Sequence, residues 1–215
     1  MADGSWHNWA GNQSSSPRHV LTPRSVREVS DSVRLAADLG LTVRMAGAGH
    51  SFTPAAVTDG MLLRPGGLRG VRSVEAKAGL VTAEAGCPLR VLNETLLGRG
   101  LALANLGDIQ EQTVAGAIQT GTHGTGRDTG GIAAQVAGLE LVLADGEVVT
   151  CSATERPELL SAAAVGLGAL GIVTAVTFRV LPAFLLEARE EPMRWTEVLA
   201  RLDELTGQNE HFEFY

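Results

Sequence analysis

The sequence predicts an α+β fold, and three observations carry that prediction. Short β-branched or alternating runs recur along most of the chain. Helical apolar spacing with capping signals shows in a few stretches. Glycine-rich turns separate the two kinds of segment.

Taken in order, Ser14-Ser15-Ser16-Pro17 is a short loop. Ser25-Val26-Arg27-Glu28 is a capping box, in which the serine accepts from the backbone N–H three residues on and the glutamate reaches back. It opens an amphipathic helix with Val26, Val29, Val33 and Ala36 on its inner face, and Gly40 closes it. Strands are expected near Thr42–Ala46, Met61–Arg64, Val71–Ala76 and Leu80–Ala85. Pro88 opens a second helix, whose apolar face is Leu89, Leu92, Leu96 and Leu97. Val136–Leu143 and Glu147–Cys151 flank Asp145-Gly146, a two-residue hairpin signal. A helix from about Pro157 precedes a glycine turn and a buried strand over Thr174–Val180. Beyond a charged passage at Glu187–Pro192, Trp195–Leu205 reads as an amphipathic helix and His211–Tyr215 as a strand.

The most informative segment is Arg44-Met45-Ala46-Gly47-Ala48-Gly49-His50-Ser51-Phe52, a strand running into a glycine turn that presents one histidine. Gly47 and Gly49 let bare backbone approach a ligand, and successive N–H groups in such a turn suit a phosphate. The plainer reading is a tight turn with an incidental histidine. A second glycine-rich loop, Thr113 to Gly126, also carries a histidine, His123. Two such loops point to one extended phosphate-containing ligand gripped from two sides. His123 reads equally as a core histidine satisfied by a carbonyl, and Thr113 and Thr120 as residues that bond backbone locally.

Composition narrows the function. The 215 residues are 45% hydrophobic, enough to bury a sizeable core. Net charge is −7, Lys77 is the single lysine and no basic run exists, which argues against a nucleic-acid partner. Cys87 and Cys151 are too few for a disulfide framework. His7, His19 and His211 lack metal-ligand spacing, so no metal site is expected. No serine stands in a G-x-S-x-G context. Met1–Asn8 has no secretory pattern, so a cytoplasmic protein is expected, with peripheral membrane association left open. Leu159–Phe178 is uncharged and long enough to span a bilayer, but Gly166, Gly168 and Gly171 divide it and its end alternates like a strand. The same glycines form a literal G-x-G-x-x-G with helix before and strand after, the inverse of a Rossmann site, so a nicotinamide cofactor is rejected. Trp6 and Trp9 are read as packing residues.

Several segments together resemble one family. They are Asn8-Trp9-Ala10-Gly11-Asn12, Gly47–Phe52, Asn105-Leu106-Gly107-Asp108-Ile109, the TVAGAIQTGTHGTG stretch, Gly168–Val173 and His211–Phe214. In that order they resemble the FAD-binding (PCMH-type) domain of the vanillyl-alcohol-oxidase superfamily, in its aldonolactone oxidase/dehydrogenase and alditol oxidase branch. The resemblance implies a two-subdomain fold over residues 1–182, divided near Gly86, with FAD between the subdomains. Residues 183–215 are then the beginning of a truncated substrate (cap) domain.

The resemblance also assigns roles. His50 carries FAD covalently on the C8-methyl. Ala46, Gly47, Ala48, Gly49 and Ser51 cradle the pyrophosphate. Gly107 and Asp108 lie by the flavin and diphosphate, and Gly107 governs access of O2. Thr113, Gly116, Ala117 and Thr120 line the dinucleotide, His123 belongs to the same loop, and Ile172 meets the adenine end through its backbone. The implied reaction is hydride transfer from a sugar-derived alcohol, an arabinono-, gulono- or galactono-1,4-lactone before an alditol, with O2 or another acceptor. Catalytic residues are expected outside this chain. The alternative is a non-catalytic flavin-binding module or one half of a split protein whose cap is a separate chain.

Overall fold

Two larger sheets organise the chain, each with its own buried core. The computed structural model describes residues 4–215; Met1, Ala2 and Asp3, part of the stretch read for a secretory signal, lie outside the described residues. In chain order the elements are β1 (Trp6–His7), β2 (Ser14–Ser15), β3 (His19–Leu21), α1 (Val26–Asp38), β4 (Val43–Met45), β5 (Met61–Leu63), β6 (Val71–Glu75), β7 (Leu80–Glu84), α2 (Leu89–Leu97), β8 (Leu101–Ala102), α3 (Val114–Gln119), β9 (Val136–Val142), β10 (Val148–Ser152), α4 (Pro157–Ala163), β11 (Ile172–Arg179), β12 (Leu181–Pro182), α5 (Trp195–Ala200) and α6 (Leu202–Gln208). This is the expected α+β class.

In the first lobe β5 lies between β3 and β4 and runs parallel to both. Met61, Leu62 and Leu63 are fully buried, as a central parallel strand covered on both faces should be. On one side α1 packs Val29, Val33 and Ala36 against Met61, Leu63 and Leu68, while Val26 is only partly buried. The Ser25 hydroxyl accepts from the Glu28 N–H at 3.1 Å. The reciprocal arm is displaced: the Glu28 carboxylate accepts from the Arg24 N–H at 2.8 Å, one residue before the capping-box position.

The second lobe is a five-stranded antiparallel sheet in the order β10-β9-β11-β7-β6. Leu89, Leu92 and Leu96 from α2, Ile118 from α3 and Phe178 from β11 are fully buried in one core. Each such side chain contributes about 1.5–3 kcal/mol on burial. Leu97 departs from its expected place on that face: it sits at the end of α2, one helical step past Leu96, and is exposed. The hairpin signalled by Asp145-Gly146 forms, with a three-residue loop Ala144–Gly146 and not a two-residue turn, and it also joins the lobes, because Gly146 C=O accepts from the Ser30 hydroxyl of α1 at 2.5 Å. Strands β6 and β7, which precede Gly86, pair into this sheet, so the chain passes from one sheet to the other between Leu63 and Val71. Strand alternation alone does not reveal which sheet a hairpin joins.

Four further expectations are corrected. Ser14–Ser15 is a strand paired with Trp6–His7 and not a loop. The helix expected over Trp195–Leu205 is two helices, because Arg201 leaves helical geometry at φ −112°, ψ 13°. His211–Tyr215 forms no strand: one bridge, His211 to Gly126, is all the pairing its neighbours offer. Trp9 does not pack in a core, whereas Trp6 does. The uncharged run Leu159–Phe178 divides among α4, a turn and β11, and among the described residues no helix is long and apolar enough to cross a membrane. Both cysteines are buried and free, and burial pushes the Cys87 thiol up to about 11.

Candidate cofactor-binding cleft

The site starts where β4 stops pairing. The Ala46 N–H still donates to the Leu63 carbonyl at 2.9 Å, and from Gly47 onward the chain leaves the sheet. A Cβ on Gly47 would collide with Thr113 Oγ1 of the other lobe, so only glycine allows this approach. Gly49 has φ +74°, in the left-handed region that side chains rarely adopt.

The consequence is a one-sided loop. Its carbonyls are tied back by the N-terminal hairpin: Gly49 C=O accepts from the Trp9 N–H at 2.8 Å, and Ser51 C=O from Asn8 Nδ2 at 2.9 Å. Phe52 C=O accepts from Asn12 Nδ2 and Gln13 Nε2, each at 3.1 Å. Among the described residues, no protein acceptor takes the backbone N–H of Gly47, Ala48, Gly49, His50 or Ser51. Five successive free N–H groups in a glycine turn form an anion cradle.

These residues line a cleft. Its other walls come from Thr113, Ala115, Gly116, Gln119 and Thr120 on or beside α3, and from Leu167, Gly168 and Gly171–Val173 leading into β11. The lining holds no carboxylate; Arg44 and His50 are its ionisable side chains, in a chain of net charge −7. Polar groups at one place on a mainly apolar wall are the usual mark of a ligand cleft.

His50 belongs to the same loop and lines the cleft. Its ring lies nearly parallel to the indole of Trp9, centroids 5.5 Å apart with 20° between planes. Its Nδ1 is buried and makes no hydrogen bond among the described residues. A buried ring nitrogen without a partner is costly unless a ligand uses it. The cradle and this orphaned nitrogen offer a phosphate-linked flavin donors and a partnerless ring atom, so the residues present fit FAD.

The cleft brings together Ala46, Gly47, Ala48, Gly49, His50, Ser51, Thr113, Gly116, Thr120 and Ile172. Both threonine hydroxyls are also engaged locally: Thr113 accepts from the Gly116 N–H at 3.2 Å and Thr120 donates to Gly116 C=O at 2.9 Å. Four expected residues lie outside the lining. Ala117 is fully buried on the core face of α3. Asp108 is exposed. His123 is exposed too, with Nδ1 2.9 Å from the neighbouring Gly124 carbonyl, which also corrects its reading as a core histidine. Gly107 packs beside His123 and Thr122, and Thr122 Oγ1 accepts from cleft-lining Gln112 Nε2 at 3.1 Å, so this loop adjoins the cleft.

Sequence reasoning missed Arg44, Gln112 and Gln119. Gln119 Nε2 donates to Ala163 C=O at 2.6 Å and its Oε1 accepts from the Gly168 N–H at 2.9 Å. It thereby fixes a turn where Leu167 sits at φ 52°, and Arg44 donates to the Leu167 carbonyl at 3.3 Å. Gln119→Ala strands the carbonyl of buried Ala163, costing about 1–3 kcal/mol, and leaves the exposed Gly168 N–H to water. The expected readout is a Tm lower by roughly 2–4 °C per kcal/mol, together with weaker ligand binding. An unchanged Tm and affinity would show that the turn does not depend on Gln119.

Two lobes meeting at a cradle of free N–H groups define the class first: an α+β nucleotide-cofactor domain. Residues 17–152 match the family model described as FAD binding domain, and residues 176–215 match that described as D-arabinono-1,4-lactone oxidase. The chain belongs to the FAD binding domain family. It is 42% identical over 210 residues to L-gulono-1,4-lactone dehydrogenase of Mycobacterium tuberculosis, covering 98% of this chain and 48% of that protein. It is 39% identical over 209 residues to mouse (Mus musculus) L-gulonolactone oxidase, covering 97% and 48%. It is 36% identical over 211 residues to D-arabinono-1,4-lactone oxidase of Yarrowia lipolytica, covering 96% and 40%. The chain thus spans about half the length of these relatives or less.

Proposed function

We propose that this chain is the FAD-holding part of an oxidoreductase that oxidises an aldono-1,4-lactone at a hydroxyl-bearing carbon. The observation that carries the reading is the cradle of free N–H groups from Gly47 to Ser51, facing a cleft without carboxylates, in a chain whose relatives are named as lactone oxidases and dehydrogenases. Bound FAD supplies a two-electron acceptor for hydride leaving the alcohol carbon.

The chain's own residues bind and orient. Gly47, Ala48, Gly49 and Ser51 receive the pyrophosphate on backbone N–H groups and the Ser51 hydroxyl, and Ala46, whose own N–H stays bonded to Leu63 C=O, begins the cradle. Thr113, Gly116 and Thr120 line the dinucleotide with small or hydroxyl-bearing side chains, and Ile172 meets the adenine end through its backbone. Gly107, Asp108 and His123 flank the flavin end from the adjoining loop. His50 would hold the flavin covalently, a ring nitrogen joined to the C8-methyl carbon, which would keep the cofactor from leaving the cleft. Groups acting on the substrate hydroxyl belong to the part of the relatives' length that this chain does not cover.

The test is anaerobic mixing of FAD-loaded protein, alone and with the remaining half of a relative supplied, with L-gulono-1,4-lactone, D-arabinono-1,4-lactone and xylitol. Bleaching of the flavin absorbance by a lactone is expected. Bleaching by xylitol alone redirects the reading to alditols, and none with any donor in the completed protein removes it.

Gly107 is proposed to leave dioxygen a path to the reduced flavin. A Cβ there would stand 3.1 Å from the His123 carbonyl oxygen and 3.2 Å from Thr122 Cγ2, filling the gap beside that loop. Gly107→Ala is expected to slow reoxidation of the dithionite-reduced protein by at least about tenfold, equivalent to about 1.4 kcal/mol of barrier. Equal stopped-flow rates would show that Gly107 is no gate.

A further inference from the structure

We infer that the Asn8–Trp9 segment is a clasp that sets the position of the His50 imidazole from outside the cleft. The inference rests on the reading of His50 as the flavin anchor and adds the residues that aim it.

Trp9 is 70% exposed and joins none of the buried cores, an unusual place for the largest apolar side chain. Its aromatic partner is His50, stacked at 5.5 Å, a separation at which ring pairs attract. It is absent from the residues that line the cleft, whereas its ring partner His50 is among them. Its backbone is engaged in the same place, with the Trp9 N–H on Gly49 C=O.

Asn8 completes the clasp. It is 5% exposed, a buried amide that must be fully bonded. Its Nδ2 donates to Ser51 C=O at 2.9 Å and to Asn12 Oδ1 at 2.7 Å, and its Oδ1 accepts from the Gln13 N–H at 3.0 Å. The hairpin that carries both residues is itself anchored, because Trp6 is buried against Ala46 and Leu62. His50 is therefore gripped on both sides in sequence, at Gly49 and Ser51, while the indole stacks against its ring with an offset.

A histidine on a glycine loop otherwise samples several rotamers, and misplacement of a reacting atom by about 1 Å costs on the order of a hundredfold in rate. Trp9 is thus a positioning residue. It removes that freedom through its ring contact with His50.

The experiment compares wild type, Trp9→Ala, Trp9→Phe and His50→Gln in three readouts. These are bound FAD after gel filtration, the rate of covalent incorporation by flavin fluorescence on denaturing gels, and the His50 ring-proton shifts of FAD-free protein by NMR. The clasp predicts upfield His50 signals in wild type from the indole ring current, lost in Trp9→Ala and largely kept in Trp9→Phe. It predicts covalent incorporation slowed about tenfold to a hundredfold in Trp9→Ala and restored by phenylalanine, with FAD still bound. Wild-type His50 shifts and wild-type incorporation in Trp9→Ala overturn it, as does a loss in Trp9→Ala that phenylalanine fails to restore. If wild type binds FAD with no covalent share, the anchor reading fails separately, and the ring-proton shifts alone decide the clasp.

Discussion

Gly47→Val is expected to lose FAD. The loop that carries the five free N–H groups presses Gly47 onto Thr113 Oγ1, and any Cβ at that place collides with the hydroxyl. Either the loop withdraws from α3 or α3 gives up its cap, since the same hydroxyl accepts from the Gly116 N–H. Forcing extra carbons into a close contact costs about 1–3 kcal/mol, which raises the Kd for FAD by roughly tenfold to a hundredfold. Collision as the cause is checked by relief: in Gly47→Ala the added Thr113→Ala change removes the obstructing atom and is expected to recover part of the affinity, less the loss of the cap, about 1 kcal/mol. Affinity in Gly47→Val equal to wild type, measured by fluorescence titration, would remove the close approach from the account.

His50→Gln is expected to abolish covalent flavin while leaving the cradle able to bind FAD reversibly. The cradle consists of backbone N–H groups, which the substitution leaves in place, and the loop is held by Asn8, Asn12 and Gln13 through carbonyls that are also unchanged. What disappears is the buried, unpartnered Nδ1. In wild type, mass spectrometry of tryptic peptides is expected to find the flavin on the peptide that begins at Met45. In His50→Gln the peptide is unmodified and acid precipitation releases all the flavin. Flavin that stays with the acid-precipitated variant would place the attachment elsewhere.

The parts legible in the sequence were those set by local chemistry. Ser25 to Glu28, Gly40 and Asp145-Gly146 act over a few residues, and the structure has the cap, the helix end and the hairpin they signal. The Gly47–Ser51 turn was legible for the same reason. Ala117 was read from a motif, although helical geometry separates it: Gly116, Gln119 and Thr120 share the cleft side of α3, and Ala117, one residue on from Gly116 and so about 100° round the helix, falls on the core side with Val114 and Ile118. Gln119 and Arg44 were illegible because their partners, Ala163, Leu167 and Gly168, lie in a turn far along the chain. Trp9 was misread because exposure and a single ring partner are tertiary facts.

The central claim is that FAD lies in the cleft with its pyrophosphate on the Gly47–Ser51 N–H groups. Hydrogen exchange tests it most directly, in the His50→Gln chain so that free and loaded forms can be compared. These five amides have no protein acceptor and are expected to exchange fast without FAD. The account predicts that saturating FAD slows them, together with amides around Thr113–Thr120 and Leu167–Ile172. Protection elsewhere, with the amides of Gly47 to Ser51 exchanging as fast as before, would contradict it.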